Sequence, residues 1–160
     1  MSWTTPNTWT AALVTVAQFN TYIRDNMLAL FPTGESGTAV AHAGGNFTTP
    51  SGSITIASGD QATFRYHRVG KSLFVQLGIA TGTITGTPAY VSVVIPGSYT
   101  AASVEQYGSH WYQDNATNDT GLVIIPSGGT TMRFYVKNLG NWQAQTDLLY
   151  IRASLRFEVA

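Results

Sequence analysis

Cysteine is absent from the 160 residues, so disulfides, thiolate chemistry and Cys-ligated zinc are excluded. Charge is scarce: Asp, Glu, Lys and Arg make up 10% of the chain, against roughly 25% in an ordinary soluble domain. Eight basic and eight acidic residues cancel. That leaves no basic field to hold nucleic acid and no basic run suited to a membrane surface. No apolar run approaches the roughly 18 residues of a membrane span, so membrane insertion is not expected. The N-terminus lacks a charged region followed by an apolar one, and no cleaved signal peptide is expected. The tripeptides at Asn46, Asn115 and Asn118 match glycosylation acceptors, and without a secretory signal they are read as chance.

Catalytic fingerprints are missing too. There is no GxSxG elbow, P-loop or dinucleotide motif. Glu105 and Asp114 stand alone as a glycosidase-type carboxylate pair, with no second feature supporting them. His42, His67 and His110 are scattered over a loop and two strands, a spacing that defines no metal site. The polar run from Asp114 to Asp119 lacks the register of a calcium loop and reads as a hairpin loop. The expectation is a non-enzymatic protein without cofactor or metal.

What the chain has in quantity is hydroxyl: 22 Thr and 12 Ser. Thr favours strands, and a hydroxyl-rich, ion-poor surface suits a module shielded within an assembly. The length corresponds to one domain able to bury a sizeable core. One convincing helix stands at the N-terminus. Thr15 can cap its first turn, with Gln18 three residues later at capping-box spacing. Val16, Phe19, Ile23, Met27 and Leu30 recur at intervals of three or four and form one apolar stripe. Asn20, Arg24, Asp25 and Asn26 fall mostly opposite, and Pro32 ends the run. At about 1.5 Å per residue such a helix spans roughly 22 Å. A lone helix that short is marginal in water, so its stripe must pack against something. Residues 1–32, with Trp3 and Trp9 in the preceding arm, therefore read as an attachment or oligomerisation segment.

Residues 33–53 are rich in Gly, Ser, Thr and Ala and read as a loop or linker. From residue 54 to 160 the pattern alternates. Ala62, Phe64 and Tyr66 oppose Gln61, Thr63, Arg65 and His67, and a Val69-Gly70-Lys71 turn leads into Leu73, Val75, Leu77 and Ile79, the clearest hairpin. Val91, Val93 and Ile95 alternate before Pro96-Gly97, and Met132, Phe134 and Val136 alternate later. The last strand is the most regular, with Leu149, Ile151, Ala153, Leu155, Phe157 and Val159 on one face, which predicts a central place in a sheet. About eight strands with turns between them predict an all-β fold, an antiparallel jelly-roll-like sandwich preceded by the helix.

The strongest binding candidate is aromatic. Tyr107, His110, Trp111 and Tyr112 cluster beside Gln113, Asn115 and Asn118, and Trp142 can join from another loop. Rings beside amide donors are how proteins hold sugars. The same residue types are also enriched in cores and at subunit interfaces, so both readings stand.

Trp9, Val14-Thr15, Ala17-Gln18-Phe19-Asn20, Arg24-Asp25-Asn26 and Leu28-Ala29-Leu30 together resemble the N-terminal motif of small structural proteins of tailed bacteriophages. Val16 departs from that motif, standing where it has a small residue. A looser similarity extends through Tyr66, Arg68-Val69-Gly70-Lys71, the Thr/Gly run from Thr81 to Thr87, Ile95-Pro96 with Tyr99, and the final strand. The resemblance implies a virion component: a tail fibre, a minor tail protein or a head decoration, commonly a homotrimer in contact with other virion proteins. A host-surface glycan is then the expected outside partner. A free-standing jelly-roll carbohydrate-binding module is the competing expectation.

Overall fold

A computed structural model of the protein describes residues 37–160, which form a compact unit of their own, Gly37–Ala160. The helix expected within residues 1–32, with Trp3, Trp9, Val16, Phe19, Ile23, Met27 and Leu30, lies outside the described residues.

The described unit is all-β and antiparallel. Its strands are β1 (Thr38–Ala39), β2 (Phe47–Thr48), β3 (Ser53–Thr55), β4 (Gln61–Val69), β5 (Ser72–Thr85), β6 (Val91–Val94), β7 (Gln106–Asp114), β8 (Thr117–Ile125), β9 (Thr131–Tyr135) and β10 (Gln145–Glu158). Short 3₁₀ turns at Gly44–Asn46, Pro96–Ser98 and Lys137–Leu139 punctuate them. Hydrogen bonding runs in the order β1-β4-β5-β10-β7-β8-β9-β6-β2, with β3 also on β5. β5 is long enough to serve two partners along one edge, pairing β4 through residues 72–79 and β3 through residues 83–85.

A sandwich of about eight strands predicts two separate sheets; the ten strands observed form one sheet curled into a half-barrel. The physical reason is β10. It pairs β5 over most of its length and β7 at Tyr150–Arg152 only, so it joins the two halves at one corner and lets them diverge beyond it. Where the ladder lapses, the Gln106 side-chain amide bonds the backbone N–H and C=O of Glu158 in place of a partner strand. Register shifts in β10 between Gln145 and Ile151, with positive φ at Asp147 and at Thr81 of β5, bend both strands there. The Asp60 carboxylate accepts a bond from the Thr81 hydroxyl at 2.7 Å and steadies that bend.

The concave face holds the core. Leu73, Val75, Leu77 and Ile79 meet Leu149, Ile151, Leu155 and Phe157, with Val123, Ile125, Met132, Phe134, Val91 and Val93 from the other half. Each such side chain, fully buried, contributes about 1.5–3 kcal/mol. The ends of the sheet approach through side chains: Phe47 of β2 lies 6.3 Å from Phe64 of β4, and Tyr66 meets Tyr99 edge-on at 6.2 Å. Residues 37–53, expected as loop or linker, thus supply two edge strands and a core ring. Two-residue strands carry no periodicity by which a sequence would reveal them.

The expected inward set of the last strand, Leu149 to Val159, is buried throughout, and β10 lies centrally. The β4–β5 hairpin turns on Gly70 at φ +58°, a left-handed conformation that glycine adopts without strain. The β7–β8 loop is tighter than expected. Strand pairing continues to Asp114↔Thr117, leaving Asn115 and Ala116, both at positive φ, as a two-residue turn.

Candidate functional site

Strand β7 carries most of the aromatic cluster, and strand alternation divides it. His110, Tyr112 and Asp114 point into the core, whereas Tyr107, Ser109 and Trp111 point outward. Trp142 is fully buried with the inward set. The five residues Tyr107, His110, Trp111, Tyr112 and Trp142 therefore do not line one surface. They form an interior cluster of three and an exterior pair.

In the interior cluster the His110 ring lies 5.1 Å from Phe134, 5.5 Å from Tyr112 and 6.2 Å from Trp142. Its Nε2–H donates to the Tyr135 carbonyl at 2.9 Å, and its Nδ1 has no hydrogen-bond partner among the described residues. Burial holds the imidazole below the usual histidine range and so in the neutral form. The Trp142 indole donates to the Phe134 carbonyl at 3.0 Å, and the Tyr112 hydroxyl accepts the Lys137 backbone N–H at 3.1 Å. Gly121 faces His110 across the ladder. A Cβ there would lie 2.0 Å from the Tyr135 oxygen and 2.4 Å from His110 Nε2. Only glycine lets the ring reach that carbonyl.

Asp114 organises the neighbouring loop. Its carboxylate accepts the Gln143 backbone N–H at 3.1 Å and the Gln145 side-chain amide at 2.7 Å. The Gln145 amide oxygen in turn accepts the Asn115 N–H at 2.7 Å. Burial pushes the carboxyl up from its ordinary range, and the two donors oppose that shift. This carboxylate is committed to positioning the segment that carries Trp142.

The exterior pair differs in character. Tyr107 is 62% and Trp111 39% exposed, and they stand about 13 Å apart on one strand face. The Tyr107 hydroxyl donates to Glu105, whose carboxylate pushes the phenol up. Half-buried Leu122 and Ile124 of β8 lie in register beside Ser109 and Tyr107, and Gln113 pairs with Asn118. On the other side Trp111 stands in register with Arg152 of β10. The sequence reading missed Arg152 and the adjoining Gly78. A glycine inside an alternating strand was the available signal for Gly78.

Elsewhere, His42 Nε2 bonds the Ile56 carbonyl at 2.7 Å, and the His67 ring stacks on Phe74 at 4.6 Å. Among the described residues no group of three His, Asp or Glu side chains could hold a metal ion. No helix among them is long and apolar enough to cross a membrane. No protein-family model, curated protein or solved structure matches the chain.

Proposed function

We propose that this chain is a non-enzymatic structural protein of a tailed-bacteriophage virion, mounted through residues 1–32 and displaying its β-unit as a tail-fibre, receptor-binding or minor tail head. The observation that carries the reading is the pairing of a phage-type segment, Trp9 to Leu30, with a β-unit that is compact in its own right from Gly37 onward. The interior polar groups support it. His110, Asp114 and Gln145 hold loops and strands in place, as a rigid display domain requires. The partners proposed are further copies in a homotrimer, other virion proteins and a host-surface glycan. Capsid decoration or head fibre is the same reading at another site on the particle. The exposed Tyr107 and Trp111 favour a second reading, a free-standing carbohydrate-binding module.

Locating the protein in a density map of the assembled particle tests the proposal. The Ile23→Asp variant sharpens it, because an unpaired charge on a buried helix seam costs several kcal/mol. Particles are expected to exclude that variant. Normal incorporation would remove the stripe Val16, Phe19, Ile23, Met27 and Leu30 as the attachment surface.

A further inference from the structure

The convex face of β4, β5 and β10 contains a depression of about 440 Å³. Its floor is Gly78, which stands between Thr63 of β4 and Arg152 of β10 in one cross-strand row. The next row sets Gln76 beside Ser154. A Cβ on Gly78 would meet Thr63 at an ordinary 3.6 Å. The missing side chain is therefore not demanded by a close approach, and it leaves the hollow open. Four polar side chains surround the floor: Thr63, Gln76, Arg152 and Ser154. Among the described residues no hydrogen bond or ion pair engages any of the four side chains.

Among the described residues that line the hollow, Arg152 is the one charged side chain. Arg156 lies one turn of the pleat further along, over the Phe74 ring at 5.3 Å. Glu158 stands at the far end of β10. The Asp60 carboxylate at the other end is taken up by the Ala57 N–H and the Thr81 hydroxyl. Arg152 is also the cross-strand neighbour of Trp111, whose ring is exposed. A guanidinium fork recognises a carboxylate or phosphate in two-point fashion. Amide and hydroxyl groups match sugar hydroxyls, and an indole face accepts the apolar face of a pyranose.

We infer that this hollow, built from Thr63, Gln76, Gly78, Arg152 and Ser154 with Trp111 next to Arg152 on the neighbouring strand, binds an acidic saccharide, a sugar ring carrying a carboxylate or phosphate. The inference rests on the display-head reading and gives its glycan a chemical class and a place. That place is the outer face next to Trp111, away from the buried rings of His110, Tyr112 and Trp142.

Calorimetric titration of the full chain with trigalacturonate, maltotriose, galactose 6-phosphate and inorganic phosphate tests it. At least one acidic sugar is expected to bind, and neutral maltotriose to bind at least tenfold more weakly. Trigalacturonate against galactose 6-phosphate tells the carboxylate from the phosphate form. Arg152→Gln is expected to weaken binding roughly tenfold or more, the loss of a charged hydrogen bond. Gly78→Val fills the floor and is expected to abolish binding, with an unchanged unfolding midpoint showing that the sheet is intact. The inference is overturned if neither acidic sugar binds, if maltotriose binds as well, if inorganic phosphate alone binds as tightly, or if Arg152→Gln binds like the parent. Binding by a chain that is never found in particles would leave this site standing and remove the virion reading. A chain found in particles that binds no acidic sugar would do the reverse.

Discussion

Replacing Gly121 with alanine adds one methyl group at one of the tightest points among the described residues. The new Cβ would lie 2.0 Å from the Tyr135 carbonyl oxygen and 2.4 Å from His110 Nε2. Neither neighbour can yield easily. The carbonyl is backbone at the end of β9, and the imidazole, 2% exposed, is wedged among Phe134, Tyr112 and Trp142. Relief requires either β8 and β9 to part or His110 to swing off its 2.9 Å bond to Tyr135. The second route leaves a buried donor and acceptor unpaired, at about 1–3 kcal/mol. Overpacking adds about 1–3 kcal/mol. A loss of about 2–6 kcal/mol is expected, a large share of the roughly 5–15 kcal/mol that holds a domain folded. Urea denaturation measures it, with Gly45→Ala as the control, since a Cβ on Gly45 meets nothing within 4 Å. The control is expected within about 0.5 kcal/mol of the parent. A Gly121→Ala protein that loses less than about 1 kcal/mol with an unchanged denaturant slope would refute the geometry assigned to His110.

Three further outcomes follow from the buried polar groups. The folded state holds His110 below its ordinary range, so its contribution is complete above the unfolded histidine pKa of about 6.5 and is lost as pH falls below that value. The slope from this one group reaches about 1.4 kcal/mol per pH unit. Denaturation midpoints between pH 7 and 5 are expected to show that slope, reduced in His110→Gln. Asp114 acts with the opposite sign. Its folded pKa is raised, so its ionisation weakens the fold above that pKa, and stability recovers as pH falls through it toward the ordinary carboxylate range. Asp114→Ala strands the Gln143 N–H and the Gln145 amide. A loss of about 2–4 kcal/mol is expected in urea, with a blue-to-red shift of tryptophan emission as Trp142 loosens; parent-like emission and midpoint would remove Asp114 as the organiser of that loop.

Legibility in the sequence followed the length of the periodic signal. β10 and β5 were readable because eight or more residues alternate without interruption, and their inward sets are buried. In β4 only Phe64 is buried, because a register shift between Gln61 and Thr63 breaks the alternation and leaves Ala62 exposed. β1 and β2 were not, being two residues each. Nor was the single curled sheet. Whether β10 closes against one half or joins both depends on pairing between residues some forty positions apart, such as Arg152↔Trp111, and alternation carries no record of a strand's partner. The aromatic candidates failed differently. Residues 107 to 112 cluster in sequence, yet period-2 geometry puts His110 and Tyr112 on the face opposite Tyr107 and Trp111. The same alternation that marks β10 separates them in β7. The groove around Gly78 needed three strands in register to exist at all.

In the proposed reading, residues 1–32 mount and oligomerise a self-contained β-head. Light scattering on the full chain and on residues 33–160 measures it directly. A stable trimer is expected for the full chain and a folded monomer once residues 1–32 are removed. A monomer in both cases would contradict it.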